Sequence, residues 1–141
     1  MKLKSKLMTI ANRLVSQGYS RATAMVKAWI LVKAECIPTR VAGVTYNQRQ
    51  EVLEYLSNCK ASNITVSLKR EQNNHYDTNA VAVWVEVAGK VKCYIGHLPK
   101  LVALVLSPLL DKGELLQSMG VNIVGGYNPF VSLGARVQLK I

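Results

Sequence analysis

The sequence predicts an α+β fold: a small, partly open β-barrel with added helices, preceded by an N-terminal helical hairpin. Three observations predict it. Apolar residues before residue 40 recur at spacings of three and four, and the period changes after it. The later runs are short strands with helices interspersed, a mixture that a small barrel accommodates. Of the 141 residues, 50% are apolar and 18% charged, which is ample for a core and argues against wholesale disorder.

The elements follow in order. Leu3, Leu7, Ile10, Ala11 and Leu14 share one helical face. Gly18 stops that pattern, as a helix-ending glycine does. Ser20 is suited to cap a second helix, in which Ala22, Met25, Val26, Trp29 and Val32 make an apolar stripe. Two short helices so closely joined predict an antiparallel hairpin. Pro38 breaks any helix running into it. The chain therefore divides into a helical hairpin, residues 1–37, and a barrel domain, residues 38–141.

Arg40 to Tyr46 reads as a strand, and Asn47 to Cys59 as a helix. Asn47 and Gln50 are placed as a capping box, with Val52, Leu53, Leu56 and Cys59 on one face. Ile64, Val66 and Leu68 alternate with polar residues, as a half-buried strand does. Asn73 to Asn79 is a polar turn segment. Ala80 to Val87 and Val91 to Ile95 flank Ala88-Gly89-Lys90, a hairpin signal. Leu98 to Leu110 predicts a helix with Pro99 in its first turn, and Pro108 should distort or end it. Val121 to Val124 and Ala135 to Ile141 are two more strands around a loop containing Gly and Asn.

The charge is uneven. The chain carries 18 Lys and Arg against 8 Asp and Glu, a formal +10. Residues 1–40 hold eight basic groups and one acid, so +7 lies there and +3 in the rest. Such a surplus favours a polyanionic partner or an anionic surface. The basic hairpin reads equally as a phosphate-binding arm and as a solvated cap that dimerises through Trp29.

Several classes fall away. The longest apolar runs, Leu101 to Leu106 and Ala28 to Val32, are far short of a membrane span. Residues 7–15 are broken by Thr9, Asn12 and Arg13, so a signal peptide is not expected. Cys36, Cys59 and Cys93 form no CxxC, and neither histidine has a metal-ligand partner at a standard spacing. No cofactor or metal is expected, and reduced thiols suit a cytoplasmic protein.

One long stretch carries specific motifs. These are L-x-R-E (Leu68 to Glu71), N-x-Y-D-x-N-A-V-A-V (Asn74 to Val83), I-G-H-L-P (Ile95 to Pro99) and P-L-L-D-K-G (Pro108 to Gly113). In that order and spacing they resemble the HIRAN domain. VAGVTY (Val41 to Tyr46) is similar to that family's first strand, and NPFVSLGARVQL (Asn128 to Leu139) to its closing strands. The resemblance covers roughly residues 38–141 and implies an OB-like β-barrel with added helices. It also implies capture of the 3′ end of single-stranded DNA, by stacking bases on aromatics and hydrogen-bonding the 3′-hydroxyl. On that resemblance Tyr46 and Tyr76 fall on stacking tyrosines, and Asp77 on the carboxylate that accepts from the hydroxyl. Asn74 falls on a polar pocket residue, His97 and Lys100 on contacts to the terminal backbone, and Phe130 on an aromatic lining the pocket. Two positions depart from the family. Thr45 stands where the DNA-binding member has an arginine, which removes a phosphate contact. His75 replaces a usual proline.

The chemistry suits these roles, and each residue also has a plainer use. Stacking one base contributes about 1–3 kcal/mol whatever its identity; both tyrosines could instead be amphipathic core residues. An ionised Asp77 accepts hydrogen bonds only, so it welcomes a hydroxyl and repels a phosphate; it could also hydrogen-bond its own turn. His97 and Lys100 lie where a strand passes into a helix N-terminus, a ready anion site; they could also be a loop histidine and a surface lysine. Cys93 reads as buried packing. No nucleophile or second carboxylate joins His97 and Asp77, so an enzyme is not expected. The leading reading is a non-enzymatic module for 3′ ends of single-stranded DNA in repair, replication or phage DNA processing. A helicase, nuclease or other repair protein is its expected protein partner. The alternative is a protein-interaction adaptor with the same fold and no DNA-end activity.

Overall fold

The first helix, α1 (Leu3–Ser16), buries Ile10, Ala11 and Leu14 and ends where Gly18 turns the chain at φ 103°. There the N–H groups of Gly18 and Tyr19 donate back to the carbonyls of Val15 and Leu14, at 3.0 and 3.3 Å. Ser20 then caps α2 (Arg21–Lys33), its hydroxyl oxygen accepting from the Thr23 N–H at 3.2 Å. This is a computed structural model, and it describes residues 2–45, 48–113 and 117–141. The stacking role expected of Tyr46 and the cap expected of Asn47 lie outside the described residues.

The packed face of α2 is not the expected stripe. Ala24 and Ala28 are fully buried and Met25, Leu31 and Val32 pack around them. Ala22, Val26, Trp29 and Ile30 face solvent, Trp29 at 47% exposure and Val26 at 61%. Two alanines let the helix axes approach closely, so the small face wins the contact with α1.

The first strand also differs from expectation. β1 is Ile37–Arg40, with Pro38 inside it. Pro38 is tolerated because β1 lies at a sheet edge. Beyond it, among the described residues, the Val41 N–H donates to Ala135 O at 2.9 Å and Ala42 makes an isolated bridge to His97. The next helix, α3 (Arg49–Ser57), follows Gln48. Gln50 makes no cap. Its side-chain N–H group donates to Val44 O and Leu133 O at 3.0 and 2.8 Å, and its oxygen accepts from the Leu133 N–H at 2.9 Å. These bonds satisfy three partly buried backbone groups and tie the start of α3 to β6.

β2 (Ile64–Arg70) alternates as expected, with Ile64, Val66 and Leu68 inward. β3 (Val81–Val87) and β4 (Val91–His97) flank the Ala88-Gly89-Lys90 turn, where Ala88 and Gly89 take φ 49° and 70°. α4 (Lys100–Asp111) runs three residues past Pro108 rather than ending there. Val105, Leu106 and Leu109 are buried on it. At about 1.5–3 kcal/mol each, they offset the roughly 3 kcal/mol cost of an interior proline. β5 (Gln117–Gly125) and β6 (Leu133–Lys140) complete the chain.

Two antiparallel three-stranded sheets result, ordered β1-β6-β5 and β2-β3-β4. Among the described residues one bridge joins them. The Ala42 N–H donates to His97 O at 2.7 Å and the His97 N–H to Ala42 O at 3.0 Å. The opposite seam is open. Among the described residues no ladder joins β2 to β5, and a groove of about 380 Å³ lies between them. The expected barrel is therefore not closed. One hydrophobic core includes Ile10 and Leu14 of α1, Leu53 and Leu56 of α3, Val83 and Ile95 of the β2-β3-β4 sheet, Leu109 of α4 and Val137 of β6. Among the described residues no helix is long and apolar enough to cross a membrane.

Candidate functional site

The loop from β2 to β3 is shaped by its own polar side chains. Asn74 Oδ1 accepts from the N–H groups of Tyr76 and Asp77 at 2.9 and 3.0 Å. Asp77 Oδ1 accepts from the Asn79 N–H at 2.9 Å. Both are side-chain turns that Asn and Asp make locally. Arg70 then clamps the loop. It donates to Ala80 O and Thr78 O at 2.9 and 3.0 Å, and its Nε to Asp111 Oδ1 at 2.8 Å. Gln72 adds a bond to the same carboxylate at 3.0 Å. The Arg70 hydrogen bond holds the Asp111 carboxyl below the usual carboxylate range, against the opposing effect of burial.

The facing wall is the I-G-H-L-P segment. Val83 pairs with Gly96 and Trp84 with Tyr94, so Ile95 is the extra residue of a bulge. Gly96 takes φ 152°, and a Cβ there would collide with Ala42 O. Only glycine permits the approach that joins the two sheets. The bulge delivers His97 toward the loop, Leu98 into the core and Pro99 to the start of α4.

Between these walls opens a cleft of about 740 Å³, lined by Ala42, Gly43, Arg49, Asn74, Tyr76, Asp77, Ala80, His97, Leu98 and Lys100. Five expected site residues, Asn74, Tyr76, Asp77, His97 and Lys100, therefore share one cavity. Tyr76 is 96% exposed, so its ring is not a core residue. Asp77 uses Oδ1 in its own turn, and Oδ2 has no partner among the described residues. Lys100 opens α4, where the helix dipole adds positive potential. Phe130 is placed elsewhere. It sits on the β5–β6 loop, 95% exposed, and does not line this cleft. Its N–H donates to Asn128 Oδ1 at 2.8 Å, so that turn sets its position.

His97 is held from both sides. Its Nε2 faces the Glu71 carboxylate, and the Tyr94 hydroxyl lies 2.5 Å from its Nδ1. A carboxylate only accepts, so Nε2 carries a proton. In the neutral ring Nδ1 is then the acceptor and Tyr94 donates to it. Burial, opposed by Arg49 and aided by Glu71, pushes the Tyr94 phenol up. Arg49 lies over the Tyr94 ring at 4.4 Å and donates to Gly43 O at 2.6 Å.

Arg49, Glu71 and Tyr94 escaped sequence reasoning. Glu71 stood in the L-x-R-E motif without a role, and its nearness to His97 was the signal that could be found only in three dimensions. Arg49 carries no local signal that sets it apart within α3. Among the described residues no group of three or more His, Cys, Asp or Glu could hold a metal ion.

Comparison with known proteins bears on this geometry. A model of the HIRAN domain family matches residues 35–139. Among solved structures, the chain is similar to the crystal structure of the HIRAN domain of human HLTF. The two share 24% identity over 74% of each chain, with a TM-score of 0.43. No curated protein matches the sequence.

Proposed function

The chain belongs to the HIRAN domain family, and from that premise we propose that it is a non-enzymatic DNA-binding module that captures free 3′ ends of single-stranded DNA. The observation that carries this reading is the shared cleft, lined by an exposed tyrosine, a carboxylate with one unspent oxygen and basic groups. In it Tyr76 stacks a terminal base, with Tyr46 as its expected partner. Asp77 Oδ2 accepts from the 3′-hydroxyl, Asn74 holds the turn that presents it, and His97 and Lys100 border the last sugar and phosphate. Phe130 serves only if the β5–β6 loop folds over a bound strand. The work of such a module is to deliver DNA ends to a helicase, nuclease or other repair protein in repair, replication or phage DNA processing. Residues 1–37 are proposed as a basic hairpin and 38–141 as the end-binding domain, in a cytoplasmic protein.

The test is competition between a strand with a free 3′-hydroxyl and the same strand with a 3′-phosphate. The phosphate should weaken binding by about 1–3 kcal/mol, because it meets a carboxylate where a donor belongs. Equal affinities would remove the reading. A protein-interaction adaptor is the second reading, favoured by the exposed Val26, Trp29 and Ile30 on α2 and by Thr45 in place of the family arginine. An adaptor would show neither strand binding nor end preference.

A further inference from the structure

A strand end brings negative charge into the cleft beside Asp77, which is itself negative. Something fixed must offset both. His97 is poorly placed to do so, since Glu71 and Tyr94 already engage its two ring nitrogens. Lys100 is exposed on a flexible stem. Thr45 is exposed and uncharged.

Arg49 differs from all three. It lines the cleft and is only partly exposed. Its guanidinium is fixed at two points, by the bond to Gly43 O at 2.6 Å and by the Tyr94 ring 4.4 Å beneath it. The Gly43 bond uses one of its five N–H donors. Among the described residues the other four have no hydrogen-bond partner and no carboxylate pairs with the group. A planar cation held in advance loses little freedom on binding, and its fork matches phosphate oxygens. The ring that carries it is part of a longer chain of contacts. Tyr94 is bonded to His97 and His97 to Glu71, so the stacking platform is anchored behind the cleft wall that His97 lines.

We infer that Arg49 is the phosphate-binding residue of this cleft, gripping the last internucleotide phosphate of a captured strand, with Tyr94 as the residue that positions it. The inference rests on the reading of the cleft as a strand-end pocket. It assigns the charge role to the start of α3 rather than to position 45. Arg49 reads the backbone, and Asp77 reads the end.

The test measures binding of a 5′-labelled single strand by fluorescence anisotropy across a salt series. Wild-type protein, Arg49→Gln and Arg49→Lys are compared. Each is titrated with an all-phosphodiester strand and with one whose last linkage is an uncharged methylphosphonate. Arg49→Gln should bind the ordinary strand at least tenfold more weakly at low salt. Its slope of log K against log [salt] should flatten by about 0.7, one single-strand phosphate contact. On the methylphosphonate strand the variant and the wild type should bind equally. Arg49→Lys should keep the slope and lose part of the affinity, since lysine lacks the fork and stacks poorly. An unchanged slope in a folded Arg49→Gln, or an equal loss on both strands, overturns the inference. If Arg49→Gln fails to fold, the wild type still decides: no loss on replacing the last phosphate overturns it, and a tenfold loss that Arg49→Lys reduces supports it. The wild type's preference for free over blocked 3′ ends is scored separately. Loss of that preference defeats the strand-end reading; preference retained with an unchanged slope defeats Arg49 alone.

Discussion

Arg70 and Asp111 are separated by 41 residues, yet the Arg70 Nε stands 2.8 Å from Asp111 Oδ1. Two motifs of the sequence thereby meet outside the cleft. The arginine of L-x-R-E ties the aspartate of P-L-L-D-K-G, at the end of α4, to the loop that carries Tyr76 and Asp77. Glu71, the next residue, holds His97. These motif residues build the cleft without lining it.

Replacing Asp111 by Asn should destabilise the protein in a pH-dependent way. The folded carboxyl lies below its ordinary value, chiefly through the Arg70 hydrogen bond. The folded state therefore favours the ionised form. That contribution is fully present above the unfolded value of about 3.9. It is lost as pH falls from there through the folded value. The stability gap between wild type and Asp111→Asn, measured by denaturant unfolding, should be open at pH 7 and close below about pH 4. Arg70→Ala should cost about 1–3 kcal/mol at pH 7, since Thr78 O loses its side-chain donor and the Asp111 carboxylate keeps only the bond from Gln72. A gap that widens in acid would contradict the assignment.

Gly96→Ala should be among the costliest single-methyl changes in the chain. The added Cβ meets Ala42 O at the point where the two sheets are joined, and the backbone there is one that L side chains rarely adopt. Strain of this kind is worth about 1–3 kcal/mol. Because His97 follows directly, strand binding should fall along with Tm. A variant of unchanged Tm would mean that the sheets do not approach so closely.

Tyr76→Ala and Asp77→Asn should separate two functions of one loop. Tyr76 is 96% exposed, so its removal should leave Tm unchanged and weaken strand binding by about 1–3 kcal/mol. Asn at position 77 keeps an oxygen for the Asn79 N–H but carries no charge. It should fold normally and lose most of the discrimination against a 3′-phosphate. Competition binding beside circular dichroism checks both; a Tyr76→Ala protein that unfolds early would make the ring structural.

What was legible in the sequence follows from how local its cause is. The alternation of Ile64, Val66 and Leu68 is legible because β2 has one buried face, and the Ser20 cap because it acts over three residues. The turn chemistry of Asn74 and Asp77 is equally local. The α2 face was misread because apolar size suggested burial, while the contact with α1 selects the two alanines instead. The bonds of Gln50 were not legible because its partners, Val44 O and the Leu133 backbone, include one 83 residues away. Arg49 was invisible for the same reason: its role depends on Tyr94, brought beneath it by β4.

The basic hairpin provides the last prediction. Residues 1–40 carry eight of the 18 basic groups, and Lys4 and Lys27 are exposed on α1 and α2. Cutting the hairpin away is the wrong way to test them. Ile10, Ala11 and Leu14 of α1 belong to the common core, and α1 packs against α4. Burial of Ile10 and Leu14 contributes about 1.5–3 kcal/mol each, so a chain lacking residues 1–37 should lose cooperative unfolding. The double variant Lys4→Gln, Lys27→Gln leaves that core intact. If both lysines touch phosphates along a bound strand, its slope of log K against log [salt] should flatten by about 1.4, at roughly 0.7 per contact. The ratio between free and blocked 3′ ends should stay at the wild-type value, because contacts to phosphate carry no information about where a strand stops. A changed ratio in a protein of unchanged Tm would place the hairpin at the end pocket. An unchanged slope would leave the basic surface of α1 and α2 without a strand to bind, and the exposed Val26, Trp29 and Ile30 would then argue for a protein on that face.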